Sequence, residues 1–212
     1  MDLTLRYRGP LRSNAGPVDK QKIRLELHDQ LRAFWAEDRR LKEHFAEWKT
    51  LQVAARRGQH FEVKRPVVGI RNFYWRYPLQ GYNFVPLITH VHELHCHLQI
   101  RLYRKIGPGG ILFVGGDLDN RLKTLLDALQ VPIYEQDVPE NENQSESPED
   151  WPPVFCLLDD DSAVTKLSIE SIKLLTPVPA ELEQPGNYVE MEIDVRIVPA
   201  TAITGSLDML FQ

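Results

Sequence analysis

Only two cysteines, Cys96 and Cys156, occur in 212 residues. That number cannot build a disulfide framework, so the fold is expected to rest on packing, in a reducing compartment. No apolar run approaches the ~20 residues of a membrane helix. The opening MDLTLRYRGPLR lacks the apolar stretch of a signal peptide. Together these absences predict a cytoplasmic protein without a membrane partner. A Walker-type phosphate loop is also missing, since GPGGILFVGGDLDNRLK does not fit G-x-x-x-x-G-K-[S/T]; this leaves little support for a small-molecule phosphohydrolase. Positive charge is not in excess either: 25 Lys and Arg face 30 Asp and Glu, a net of −5. At first sight that argues against nucleic acid. What is there is ordinary globular material, 42% hydrophobic and 26% charged. A chain of this length buries about 70% of its unfolded surface and needs no metal to fold.

The charge is unevenly placed. Residues 135–161 hold ten acids and no Lys or Arg; without those acids the chain has 25 basic and 20 acidic residues, a net of +5. Residues 1–76 alone contain 17 basic against 9 acidic residues. The sequence thus describes a basic body carrying one acidic segment. Within it, PENENQSESPEDWPP (139–153) has no hydrophobic period and is expected to be a disordered surface insertion.

Hydrophobic period outlines the elements. Leu3, Leu5 and Tyr7 alternate with polar residues as a first strand. Ile23, Leu27, Leu31, Phe34, Trp35, Leu41, Phe45 and Trp48 recur at helical steps, so a helix, or a hairpin of two, is expected from Asp19 to about Arg57. Its other face is basic. Residues 61–88 mix aromatics with basic side chains, which suits base stacking and phosphate contact as well as a core. Leu94 to Tyr103 alternates cleanly as a strand. His90, His92, His95 and His97 cluster around Cys96, but Cys96 falls on the strand face opposite His95 and His97, against a zinc site. Further strands are expected at 111–114, 164–175 and 188–198, the last two separated by a Gln184-Pro185-Gly186-Asn187 turn. The tail SLDMLFQ looks similar to a viral protease cleavage site.

The chemistry concentrates in GGDLDNRLKTLLDALQ. A helix over 119–130 gathers Leu122, Leu125, Leu126 and Leu129 on one side and Asn120, Lys123 and Asp127 on the other. Asp117 and Asp119 stand two apart just ahead of it. On an extended segment they point the same way, and two carboxylates so close repel unless a cation lies between them. Carboxylate-only oxygen sites suit Mg²⁺ or Mn²⁺. The plainer reading makes Asp119 an N-cap, Asp117 a turn residue, and Lys123–Asp127 an i,i+4 pair. A second acidic cluster, Asp159-Asp160-Asp161, precedes the strand at Val164.

The full pattern, D-x-D-N-x-x-K-x-x-x-D-A-L followed by D-D-x-x-V, resembles the RusA-type Holliday-junction resolvases. Leu3–Asn14, with Pro10 and Ser13-Asn14, is similar to the family's first strand and turn, and strand 94–103 fits the one before the metal loop. The likeness covers about half of the chain. It implies an α+β domain spanning 1–212, with a single mixed β-sheet, packed helices, and insertions at about 18–88 and 134–156. It implies a Mg²⁺-dependent endodeoxyribonuclease, Mn²⁺ substituting, acting on DNA including branched DNA, as a homodimer. Carried over by motif, Asp117, Asp119 and Asp161 become the metal-binding catalytic set and Lys123 the essential lysine. Three consecutive aspartates leave the third ligand open between Asp160 and Asp161. Arg12, Asn14, Arg71, Arg76, Asn120 and Arg121 are the candidate DNA contacts. The chain departs from the pattern in the long 134–156 segment, in Ala163 where Gln is usual, and in the unmatched 18–57 and 60–88. The rival reading is a non-catalytic nucleic-acid-binding or regulatory protein on the same scaffold.

Overall fold

The computed structural model describes residues 1–37, 77–89, 94–105, 118–142, 145–178 and 187–199. They form an α+β architecture of two mixed sheets and two α-helices. The expected single sheet is therefore corrected to two. The expected strand at 111–114 and the helix beyond Glu37 lie outside the described residues.

The larger sheet takes strands β1 (Asp2–Pro10), β4 (Leu94–Arg104), β6 (Val164–Lys173) and β7 (Tyr188–Pro199) in the order β1-β7-β4-β6. β6 and β7 follow each other in sequence but are not neighbours; β4 lies between them, parallel to β6 and antiparallel to β7. Alternation decides which face is inward. Leu5 and Tyr7, Cys96 to Leu102, and Val189 to Ile197 at every second position are buried on one face. The opposite face carries Arg6, Arg8, Arg101, Glu190, Glu192 and Asp194 in ion pairs.

The smaller sheet orders β2 (Tyr77–Leu79), β3 (Tyr82–Ile88) and β5 (Pro153–Leu158) as β2-β3-β5. β2 and β3 form a hairpin through Gln80 and Gly81, with φ of 49° and 80°. Two central residues at positive φ define the turn whose twist suits a two-residue hairpin. β3 and β5 are parallel and buried almost throughout, hence their continuous apolar runs. Asp159 N–H donates to Ile88 O at 3.0 Å where this parallel pair leaves the small sheet toward β4 and β6.

Helix α1 (Pro17–Glu37) starts on a proline, whose missing N–H is one a first turn cannot use anyway. Ile23, Leu27, Leu31 and Trp35 form its buried stripe, packed on β1, β5 and helix α2 (Leu118–Leu129). α1 also closes the edge of β1. Gln30 accepts from Arg6 N–H at 2.8 Å and donates to Arg6 O at 2.6 Å, and Glu26 accepts from Arg8 N–H at 3.3 Å. Arg24, 2% exposed, spans to α2: it donates to the Asp127 and Gln130 carbonyls at 2.8 and 3.3 Å and to Gln21 at 2.5 Å. Those carbonyls belong to the end of α2, where intrahelical donors run out.

The described part of the acidic segment is not disordered, which corrects the expectation. Val138 is buried with Phe84, Val131 and Val154 in a small core. Buried Asn83 donates to the Pro148 and Trp151 carbonyls at 2.8 and 2.9 Å, and Asn141 bonds the hairpin turn at Gln80 and Gly81. The partners lie on β3, some 65 residues away, so composition alone does not reveal them. Among the described residues no helix is long and apolar enough to cross a membrane.

Candidate functional site

α2 positions the motif. Its buried stripe is Arg121, Thr124, Leu125, Ala128 and Leu129, rotated from the all-leucine face because α1 packs alongside; Leu122 and Leu126 stay half-buried. Thr124 Oγ1 accepts from Ala15 N–H at 3.3 Å. Asp119 and Lys123 stand exposed one turn apart at the amino-terminal end, with Asn120 half-buried between them. Asp119 Oδ1 accepts from Asn120 N–H at 2.7 Å. Lys123 does not pair with Asp127: Lys20 Nζ holds that carboxylate at 2.7 Å. Lys123 forms no ion pair among the described residues.

The candidate DNA contacts divide. Arg121 is 0% exposed; its guanidinium donates to Leu11 O and, at 3.2 Å, to Asn187 Oδ1. Burial lowers its pKa, with Arg104 adding to the effect. It fastens α2 to the ends of β1 and β7 and does not reach a DNA surface, so that assignment is corrected. Arg12 is exposed and paired with Asp19 at 3.2 Å. Asn14 is exposed in the following turn at φ 52°. Asp117, Arg71 and Arg76 lie outside the described residues.

Each aspartate of the second cluster has its own place. Asp159 is 1% exposed. Asp160 caps the short 3₁₀ turn Asp161–Ala163, accepting from Ser162 N–H at 2.9 Å. Asp161 is exposed, and its N–H donates to Gln130 Oε1 at 3.2 Å. Asp161 therefore sits beside the carboxyl end of α2, while Asp119 opens the amino end. Eleven residues of helix separate Asp119 from Gln130, roughly 16 Å. The sheet gives the same answer. Arg121 is tied to Asn187, next to the β7 residues that pair with Arg104 of β4, whereas Asp161 precedes Val164, which pairs with Cys96. Those levels of β4 are eight residues apart, roughly 26 Å. The structure thus brings Asp119, Asn120 and Lys123 together and leaves Asp160 and Asp161 apart from them. Among the described residues no group of three His, Cys, Asp or Glu side chains can hold a metal ion. Asp161 does not share the helix mouth with the exposed Asp119 carboxylate within one chain.

Cys96 is buried, its thiol pKa pushed up to about 12 by burial, and it faces away from His95 and His97, while His90 and His92 lie outside the described residues. The outward face of the large sheet holds a hollow of about 770 Å³ bordered by His97, Lys166, Asp194 and Arg196. Sequence reading passed over it. Its signal is the outward alternate positions of three strands that become neighbours only through the crossover. The chain matches no family model, no curated protein and no solved structure.

Proposed function

We propose that this chain is a metal-dependent endodeoxyribonuclease whose scissile phosphate docks at the amino-terminal mouth of α2. The observation that carries the reading is the exposed pair Asp119 and Lys123, one turn apart, with Asp127 held by Lys20 and Lys123 in no ion pair among the described residues. A helix amino terminus offers unpaired N–H groups and a positive dipole end, both favourable to phosphate. Lys123 is assigned to phosphoryl oxygens, where it offsets charge that develops as the ester bond breaks. Asp119, with Asp117, is the proposed ligand pair for Mg²⁺ or Mn²⁺. The resemblance of D-x-D-N-x-x-K to the RusA-type resolvases supports DNA as substrate, branched forms included, and a homodimer as the working unit. The separation of Asp119 from Asp161 favours one rival, a DNA-binding protein without catalysis.

Purified protein incubated with labelled four-way, flap and linear DNA in Mg²⁺, Mn²⁺ or EDTA tests both. Cutting that needs the ion and drops by about 10²–10³ in Asp119→Asn and Lys123→Gln is expected, the size of a lost transition-state donor. Binding without cutting in every condition would leave the rival standing. Asp161→Asn then shows whether that carboxylate contributes at all.

A further inference from the structure

Charge on the outward face of the large sheet lies in transverse rows set by the register. Most of it is neutralised locally. Arg6 meets Glu192 at 3.2 Å, Arg8 meets Glu190 at 3.8 Å, and Arg101 meets Glu192 and Asp194 at 3.2 and 2.8 Å. One row departs from this pattern. Arg196 on β7, His97 on β4 and Lys166 on β6 are direct register neighbours. Neither Arg196 nor Lys166 forms an ion pair among the described residues, and both are exposed. Asp2, the register neighbour of Arg196 on β1, does not pair with it. Asp194, the nearest acid along β7, is already committed, accepting from Thr4 Oγ1 at 2.7 Å and Arg101 Nη2 at 2.8 Å.

Strands lie ~4.8 Å apart, so Arg196 and Lys166 flank His97 across ~10 Å. Asp2 and Asp194 border the same site, yet neither forms an ion pair with Arg196 or Lys166 among the described residues. Arg196, His97 and Lys166 border an open hollow of about 770 Å³ on the sheet face. The next row, Gln99 and Ser168, adds an amide and a hydroxyl to the same wall. A guanidinium fork, an ammonium, an imidazole N–H and neutral donors make a donor set suited to a tetrahedral oxyanion.

We infer that Arg196, His97 and Lys166 form a receptor for a phosphoryl oxyanion on the open face of the large sheet, separate from the mouth of α2. The oxyanion comes either from free inorganic phosphate or from the backbone of a nucleic acid. The site does not depend on the nuclease reading, since neither Asp119 nor Lys123 takes part in it.

Calorimetric titration of the full chain with sodium phosphate, at ionic strength matched with chloride, tests the receptor. Titration with a short single-stranded oligonucleotide in EDTA identifies the source. Saturable phosphate binding is expected, weakened about tenfold in the Lys166→Gln/Arg196→Gln double variant. If the oligonucleotide is the source, its affinity falls too and its salt slope drops by about 1.4, roughly 0.7 per lost phosphate contact on a single strand. If its affinity is unchanged while phosphate binding is lost, free phosphate is the source. No saturable phosphate binding by the unaltered chain, or equal binding of both ligands by the double variant, overturns the inference. Both side chains are exposed, so the double variant should melt like the parent; Lys166→Glu supplies a second test by charge reversal. The double variant leaves Asp119 and Lys123 in place, so loss of phosphate binding with metal-dependent cutting retained separates this inference from the nuclease reading.

Discussion

His28 sits in a place that only its neutral form fits. Its Nδ1 accepts from Phe155 N–H at 2.9 Å, and its ring stacks on Phe155 at 5.5 Å and 8°. Burial lowers its pKa below the ordinary 6.5; Arg32 acts in the same direction and Asp29 opposes it. The unfolded chain therefore takes up a proton near pH 6.5 while the folded one resists. This stability is fully present above pH 6.5 and is lost as pH falls through the folded value. Urea unfolding at a series of pH values should show stability dropping below pH 6.5. His28→Gln, which keeps an acceptor for Phe155, should flatten that part of the profile; an unchanged slope would move the titration elsewhere. Arg121 teaches the opposite lesson at this scale. Its position in D-N-R-x-K suggests a DNA contact, yet the side chain is wholly buried and binds backbone.

Among the elements, α2 depends on its neighbour for its carboxyl end. Arg24 from α1 supplies donors to the Asp127 and Gln130 carbonyls and lies over the Phe84 ring at 5.6 Å. Arg24→Met should destabilise the fold by about 2 kcal/mol, within the range for hydrogen bonds to a charged group. Hydrogen exchange should quicken at the last turn of α2 more than within α1; uniform quickening would mean general loosening instead. Elements of this kind are readable in sequence to the extent that one face is wet and one dry. β4 and β7 alternate because their outward faces carry charge, and both were legible almost to the residue. β3 was not, since both its faces are buried and period two disappears. The motif at Asp119, Asn120 and Lys123 was legible as a local group. Its distance from Asp161 was not, because it depends on how α2 lies along β4, which no local pattern encodes.

At the scale of the whole molecule, the acidic segment is part of the fold and keeps its charge in a fixed place beside the small sheet. Asn83 is the chief fastening, with two carbonyl partners and almost no exposure. Asn83→Ala should lower stability by about 2 kcal/mol and open 138–152 to a Glu-specific protease, read by mass spectrometry of the fragments. A cleavage rate equal to that of the unaltered chain would mean that other contacts hold the segment. The two borders of the large sheet also differ. Along β1 the side chains of Gln30 and Glu26 occupy backbone groups that another strand would need. At the far border, among the described residues, β6 has no strand beyond it in the sheet order, and Lys166, Glu170 and Lys173 are spaced along it. Strand-to-strand association of this sheet is thus directional. Two copies that met through β6 would each use up their open border, and the assembly would stop at a pair where a sheet open on both sides could extend into a fibre.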